Sequence, residues 1–147
     1  MWNISPGSFT KMTIENPAAA KLLIWATKRK STFPRLHRLI CILLGSDVFC
    51  VIPKGIVFPH PYGVIIHSET IIGENTIVMQ QVTMGGKSLI NPAGAPTLGD
   101  NCYVGAGAKI LGAVKIGNHV TIGANAIVTK DMPDGVVVVG VNQVLKA

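Results

Sequence analysis

From Ile66 the chain repeats every six residues. I-H-S-E-T-I, I-G-E-N-T-I and V-M-Q-Q-V-T run in phase, and after a break the phase resumes at Leu98 as L-G-D-N-C-Y, V-G-A-G-A-K, I-L-G-A-V-K, I-G-N-H-V-T, I-G-A-N-A-I and V-T-K-D-M-P. A period of six with an aliphatic residue at its head has a geometric reading. Each hexad makes a short strand and a turn, three hexads close one triangular coil, and successive coils hydrogen-bond as parallel strands about 4.8 Å apart. The head residue points into the prism, and small second residues such as Gly73, Gly99, Gly105, Gly117 and Gly123 admit the tight corner. The fold class expected is therefore mostly β, a parallel β-helix. Its ends expose unpaired strand edges, so both need caps.

Length sets the rest of the organisation. With 147 residues the chain supports one core. We read 1–47 as a helical N-terminal cap, 48–135 as the β-helix with a loop at 87–97, and 136–147 as a C-terminal cap containing a strand at Val136 to Val139. The composition is 48% hydrophobic but only 5% aromatic, with 16 glycines, which suits a thin, regularly turned core.

In the first part, Asn16-Pro17 offers an N-cap and a first-turn proline to a helix over Ala18 to Lys30, and Pro34 opens a second. In that second helix residues 36, 39, 40, 43 and 44 fall on one face, an apolar stripe that needs a surface to cover. The net charge of +6 is all here: Met1 to Gly45 holds seven Lys/Arg against Glu15 alone, and the remainder holds six of each sign. Such a segment is either a solvated helix face or a contact with an anionic partner, and peripheral contact with an anionic membrane is one expectation. Without aromatic residues among the charges elsewhere, nucleic acid is not an expected partner. No apolar run approaches a bilayer span, the start lacks a signal-peptide pattern, and three cysteines without a framework fit a reducing cytoplasm.

The run HPYGVIIHSETIIGENTIVMQQVTMGG, followed by PTLGDNCYVGAGAKILGAVKIGNHVTIGANAIVTKDMPDGVVVVGV, resembles the hexapeptide-repeat acyltransferases of the serine acetyltransferase type. The resemblance implies that the β-helix is left-handed, that the active unit is a homotrimer, and that acetyl-CoA is the co-substrate, held between adjacent subunits; no metal is expected. It also implies roles. His60, read as the head of the hexad H-P-Y-G-V-I, matches the family's catalytic histidine, and a neutral imidazole suits removal of a hydroxyl proton. Asp47, thirteen positions upstream, is the carboxylate that would orient it, unless a backbone carbonyl serves. Gly85 and Gly86 match a glycine pair whose N–H groups would hold an oxyanion. Ala106, Gly107, Ala124, Thr129 and Lys130 match cofactor contacts, the last suited to a phosphate.

Some residues depart from the pattern. Members of the serine acetyltransferase type carry an acidic residue before the catalytic histidine and an Arg-His pair before a proline after the glycine turn; this chain has Pro59, and Gly94-Ala95 before Pro96. The C-terminal GVNQV replaces a frequent GVPAR, which removes an arginine toward CoA phosphate. With the counter-charges for an amino-acid acceptor missing, the expected activity is O-acetylation of a sugar or surface glycan, with serine O-acetylation as the alternative. Two readings of other kinds are a non-catalytic trimeric scaffold and a zinc-dependent hydratase using His60, His67 and His119.

Overall fold

The computed structural model describes residues 15–86 and 94–145. Two helices, α1 (Ala18–Lys28) and α2 (Pro34–Leu44), precede β1 (Asp47–Val48) and β2 (Ile65–Ile66). There follow β3 (Ile71–Ile72), β4 (Ile77–Val78), β5 (Thr83–Gly85), β6 (Thr97–Leu98), β7 (Tyr103–Val104), β8 (Lys109–Leu111) and β9 (Lys115–Ile116). The last are β10 (Thr121–Ile122), β11 (Ile127–Val128), β12 (Val137–Val139) and β13 (Gln143–Leu145). Every third strand stacks on the same side, as the six-residue period requires. The first face is β1-β2-β5-β8-β11, the second β3-β6-β9, and the third β4-β7-β10-β12, closed by β13. All pairings are parallel except β12 with β13, an antiparallel hairpin that ends the stack.

The head residue of each hexad is inward: Val78, Met84, Val104, Ile110, Ile122 and Val128 are fully buried. So is the fifth residue, as Val82, Ala108, Val120 and Ala126 show. The core thus receives two side chains per hexad, on either side of one outward position, which is the strand alternation of period two. The fourth residue takes the left-handed conformation at Asn75, Gln81, Asn101, His119 and Asn125, with φ between 55° and 59°, and at Gly107 with φ 71°. Asparagine tolerates that region better than most residues, which accounts for its recurrence there.

The second-residue glycines have a sharper reason than corner flexibility. A Cβ on Gly73 would lie 2.3 Å from the Gly99 backbone, and on Gly117 it would lie 2.1 Å from Asp134 Oδ1. That oxygen accepts the Asn118 N–H at 2.8 Å, Asn118 Oδ1 accepts the Asp100 N–H at 2.9 Å, and Asp100 Oδ1 accepts the Glu74 N–H at 2.7 Å. A side-chain ladder therefore runs up the corner between the second and third faces, and only glycine leaves it room.

The N-terminal region differs from the expectation in two respects. Asn16 does not cap α1, which begins after Pro17 with no side-chain cap. Its amide instead donates to Ile56 O and accepts the Phe58 N–H, both at 2.8 Å, replacing a missing ladder partner at the open end of the stack. In α2 the buried face is His37, Ile40 and Cys41, with Leu44 half-buried, whereas Leu36, Leu39 and Leu43 are exposed. The helix meets the first coil one residue round from the predicted stripe because His37 Nε2 lies 3.1 Å from Val48 O.

Candidate active site

His60 does not occupy a hexad head. Val57 pairs with Ile77, twenty residues on, whereas Ile65 pairs with Thr83, eighteen residues on. Two extra residues therefore lie between 57 and 65, and Phe58, fully buried, takes the inward place assigned to His60. The extra length is spent on the corner His60-Pro61-Tyr62-Gly63 between the third and first faces. There the Tyr62 N–H donates to His60 O at 2.9 Å, and the His60 side chain is exposed. A reacting base needs that access, which a buried structural histidine would lack.

The corner is rigidly held. Ser46 Oγ donates to Pro61 O at 2.8 Å and accepts the Val64 N–H at 3.0 Å, and the Gly63 N–H reaches Leu44 O at 3.3 Å. Below it the same corner continues coil by coil. The Gln81 N–H donates to Tyr62 O, Gly107 N–H to Gln80 O and Asn125 N–H to Ala106 O. His60, Ala106, Gly107 and Ala124 thus share one column. Ala106 is half-buried and Ala124 exposed, so these two give a ligand access to backbone. Gly107 is buried, and a Cβ there would lie 2.1 Å from Asn125 Oδ1. Its requirement for glycine is met inside the stack.

Gly85, Gly86, Thr129 and Lys130 lie on the other edge of the first face, at the corner leading to the second. Gly85 is half-buried, Gly86 exposed, and the C=O of Gly85 accepts the Gly112 N–H at 2.8 Å. Of the loop expected at 87–97, residues 87–93 lie outside the described residues. Thr129 is engaged by Asn142, whose Oδ1 accepts the Thr129 N–H at 2.7 Å and whose Nδ2 donates to Thr129 Oγ1 at 2.9 Å. Lys130 is exposed and has no hydrogen-bond or ion-pair partner among the described residues, so its ammonium is available to an anion.

Asp47 is also exposed, but no hydrogen bond or ion pair joins it to His60. Asp47 lines a groove of about 830 Å³ between α2 and β1, together with Lys30, His37, Arg38 and Phe49. His60, His67 and His119 stand on three different corners of the prism, and the described residues hold no cluster of three metal-ligating side chains. The three cysteines are buried and unpaired. Burial holds their thiols above the ordinary range, Cys50 at about 11, so none offers a thiolate nucleophile near neutral pH.

Two further features of the sequence bear on this site. The spacing from Phe58 to Ile66 is eight where the hexads give six, which marks the lengthened corner. Ser46, an unremarkable serine before β1, is the residue that ties that corner down.

The bacterial transferase hexapeptide (six repeats) family matches residues 95–130. The serine acetyltransferase of Helicobacter pylori is 44% identical over 107 residues, covering 71% of this chain and 63% of the relative. That of Mycobacterium tuberculosis is 41% identical over 102 residues, covering 68% and 44%. Among solved structures, a Neisseria gonorrhoeae serine acetyltransferase in complex with serine superposes with a TM-score of 0.73 at 26% identity, over 87% of this chain and 55% of the other. A serine acetyltransferase in complex with CoA gives 0.65 at 29% identity, over 80% and 49%. The chain spans about half the length of the relatives it matches. In fold the chain is a left-handed β-helix of hexapeptide repeats, and in sequence it is similar to serine acetyltransferases.

Proposed function

We propose that this chain is an acetyl-CoA-dependent O-acetyltransferase with His60 as general base. The observation that carries the reading is the column of exposed His60 above Ala106 and Ala124 in a chain similar to serine acetyltransferases, one of them in complex with CoA. The imidazole takes the acceptor hydroxyl proton as the oxygen attacks the thioester carbonyl. The resulting oxyanion accepts hydrogen bonds from the Gly85 and Gly86 backbone. Collapse expels the CoA thiolate, which recovers the proton from His60. The oxyanion donors lie on the opposite edge of the first face from His60, separated by the strand Val64 to Ile66, roughly 10 Å of extended chain. A homotrimer, in which one chain's edge meets its neighbour's, supplies the missing half. Lys130 then meets a CoA phosphate.

Serine is the acceptor favoured by the relatives' names, ahead of the sugar or glycan acceptor expected from the sequence. The glycan remains a second reading on a specific observation: Pro59, Gly94 and Ala95 supply no charge for the ammonium and carboxylate of an amino acid. Thiol release from acetyl-CoA, followed with serine and with nucleotide sugars or surface glycans, decides between them. Turnover with serine alone upholds the first, turnover with a sugar alone upholds the second, and release with no acceptor sinks the transferase assignment.

A further inference from the structure

Six side chains of the helical hairpin form one uncovered apolar strip. Leu22 and Trp25 are neighbours three apart on α1, and the Trp25 and Phe33 rings stack with centroids 6.5 Å apart. Phe33, Leu36, Leu39 and Leu43 then continue along α2 at spacings of three and four. The exposures run from 40% at Leu36 to 73% at Leu43, although the same helices bury Leu23, Ala26, Ile40 and Cys41 on the adjacent side. Each helix is thus apolar on two faces. A continuous strip of this kind marks an interaction surface.

We propose that this strip docks on an anionic lipid surface. Charge complementarity selects the occupant. Residues 15–45 carry Lys21, Lys28, Arg29, Lys30, Arg35 and Arg38 against Glu15 alone. Arg29 stands over the Trp25 ring at 5.6 Å, and Lys28 and Arg35 are exposed beside the strip. A second copy meeting this face with its own would bring like charge against like, whereas acidic headgroups neutralise the rim as the apolar side chains enter the interface. At eleven residues each helix is about 16 Å long, short of a span, and no described helix is long and apolar enough to cross a membrane. The hairpin therefore lies on the surface. The proposal is independent of which acceptor is acetylated.

Vesicle co-sedimentation tests it, with phosphatidylcholine alone and with about 30% phosphatidylglycerol. The expected result is binding to the anionic vesicles only, weakened by salt. Removing two rim charges with Lys28→Gln and Arg35→Gln should lower the affinity about thirtyfold. Leu39→Glu with Leu43→Glu should abolish binding, with acetyl-CoA turnover unchanged in both variants. Equal binding to neutral vesicles, or none to either, overturns the proposal. So does a loss of oligomer in sedimentation velocity for the leucine variant, which would give the strip to a second copy. The charge variant changes only exposed residues, so it tests the proposal even if the leucine variant fails to fold.

Discussion

Two corners of the same prism are built on opposite plans. Between the second and third faces, Gly73-Glu74, Gly99-Asp100 and Gly117-Asn118 each present glycine and then a polar side chain, and Asp100, Asn118 and Asp134 each accept a backbone N–H from the coil before. Between the third and first faces the described residues form no such side-chain ladder. That column holds the lengthened His60 turn, then Gln80-Gln81, Ala106-Gly107 and Ala124-Asn125, where the short side chains of Ala106 and Ala124 leave backbone open. The first corner spends its polar groups on cohesion, and the second is where we place the ligand. Hexad regularity alone does not tell the two apart; the side-chain chemistry at the third and fourth positions does.

The largest expected effect tests the open corner. His60→Ala should cut acetyl transfer by roughly 10²- to 10⁴-fold, the usual contribution of a general base, and leave the melting temperature unchanged, because the ring is exposed and supports nothing above it. Steady-state thiol release and a thermal melt on the same preparation measure both. Full turnover in a folded variant would remove the base assignment and favour the scaffold reading.

The laddered corner should behave in reverse. A Cβ at Gly117 meets Asp134 Oδ1 at 2.1 Å and Asp134 N at 2.6 Å, and neither can yield without losing the bond to the Asn118 N–H. Gly117→Ala should therefore cost about 2–4 kcal/mol, combining overpacking with a lost hydrogen bond. Chemical denaturation should show it as a lower midpoint. A variant as stable as the parent would mean that the ladder is dispensable and that the contrast between the corners is one of appearance only.

What could be read in the sequence follows the same division. The strand positions and the inward heads from Ile66 onward were legible because a strict period leaves one registration that buries Val78, Val104 and Ile122 together. His60 was placed wrongly within the hexad because extending the period backwards ignores an insertion, and the burial of Phe58 corrects it. The stripe on α2 was misjudged for a related reason. That helix is apolar at 36, 39 and 43 and also at 40, 41 and 44, so periodicity could not choose the face that meets the coil; the His37 contact with Val48 does. Asn16 has good capping chemistry, yet an open strand edge nearby offered its amide two partners at once.

The smallest expected effect lies inside the prism. The fifth hexad position is filled by Val82, Ala108, Val114, Val120, Ala126 and Met132, but Thr70 and Thr76 put hydroxyls there, 3% and 0% exposed, and neither has a hydrogen-bond partner among the described residues. Valine has nearly the shape of threonine and no group to satisfy. Thr76→Val should therefore stabilise the protein by about 1 kcal/mol, which at this chain length is roughly 2–4 °C in Tm. Thr121→Val, at a half-buried outward position on the third face, should change little and serves as the control. A lower Tm for Thr76→Val would mean that the hydroxyl is bonded to a water held in the stack. The first two hexads would then owe part of their cohesion to a buried polar contact, as the laddered corner does.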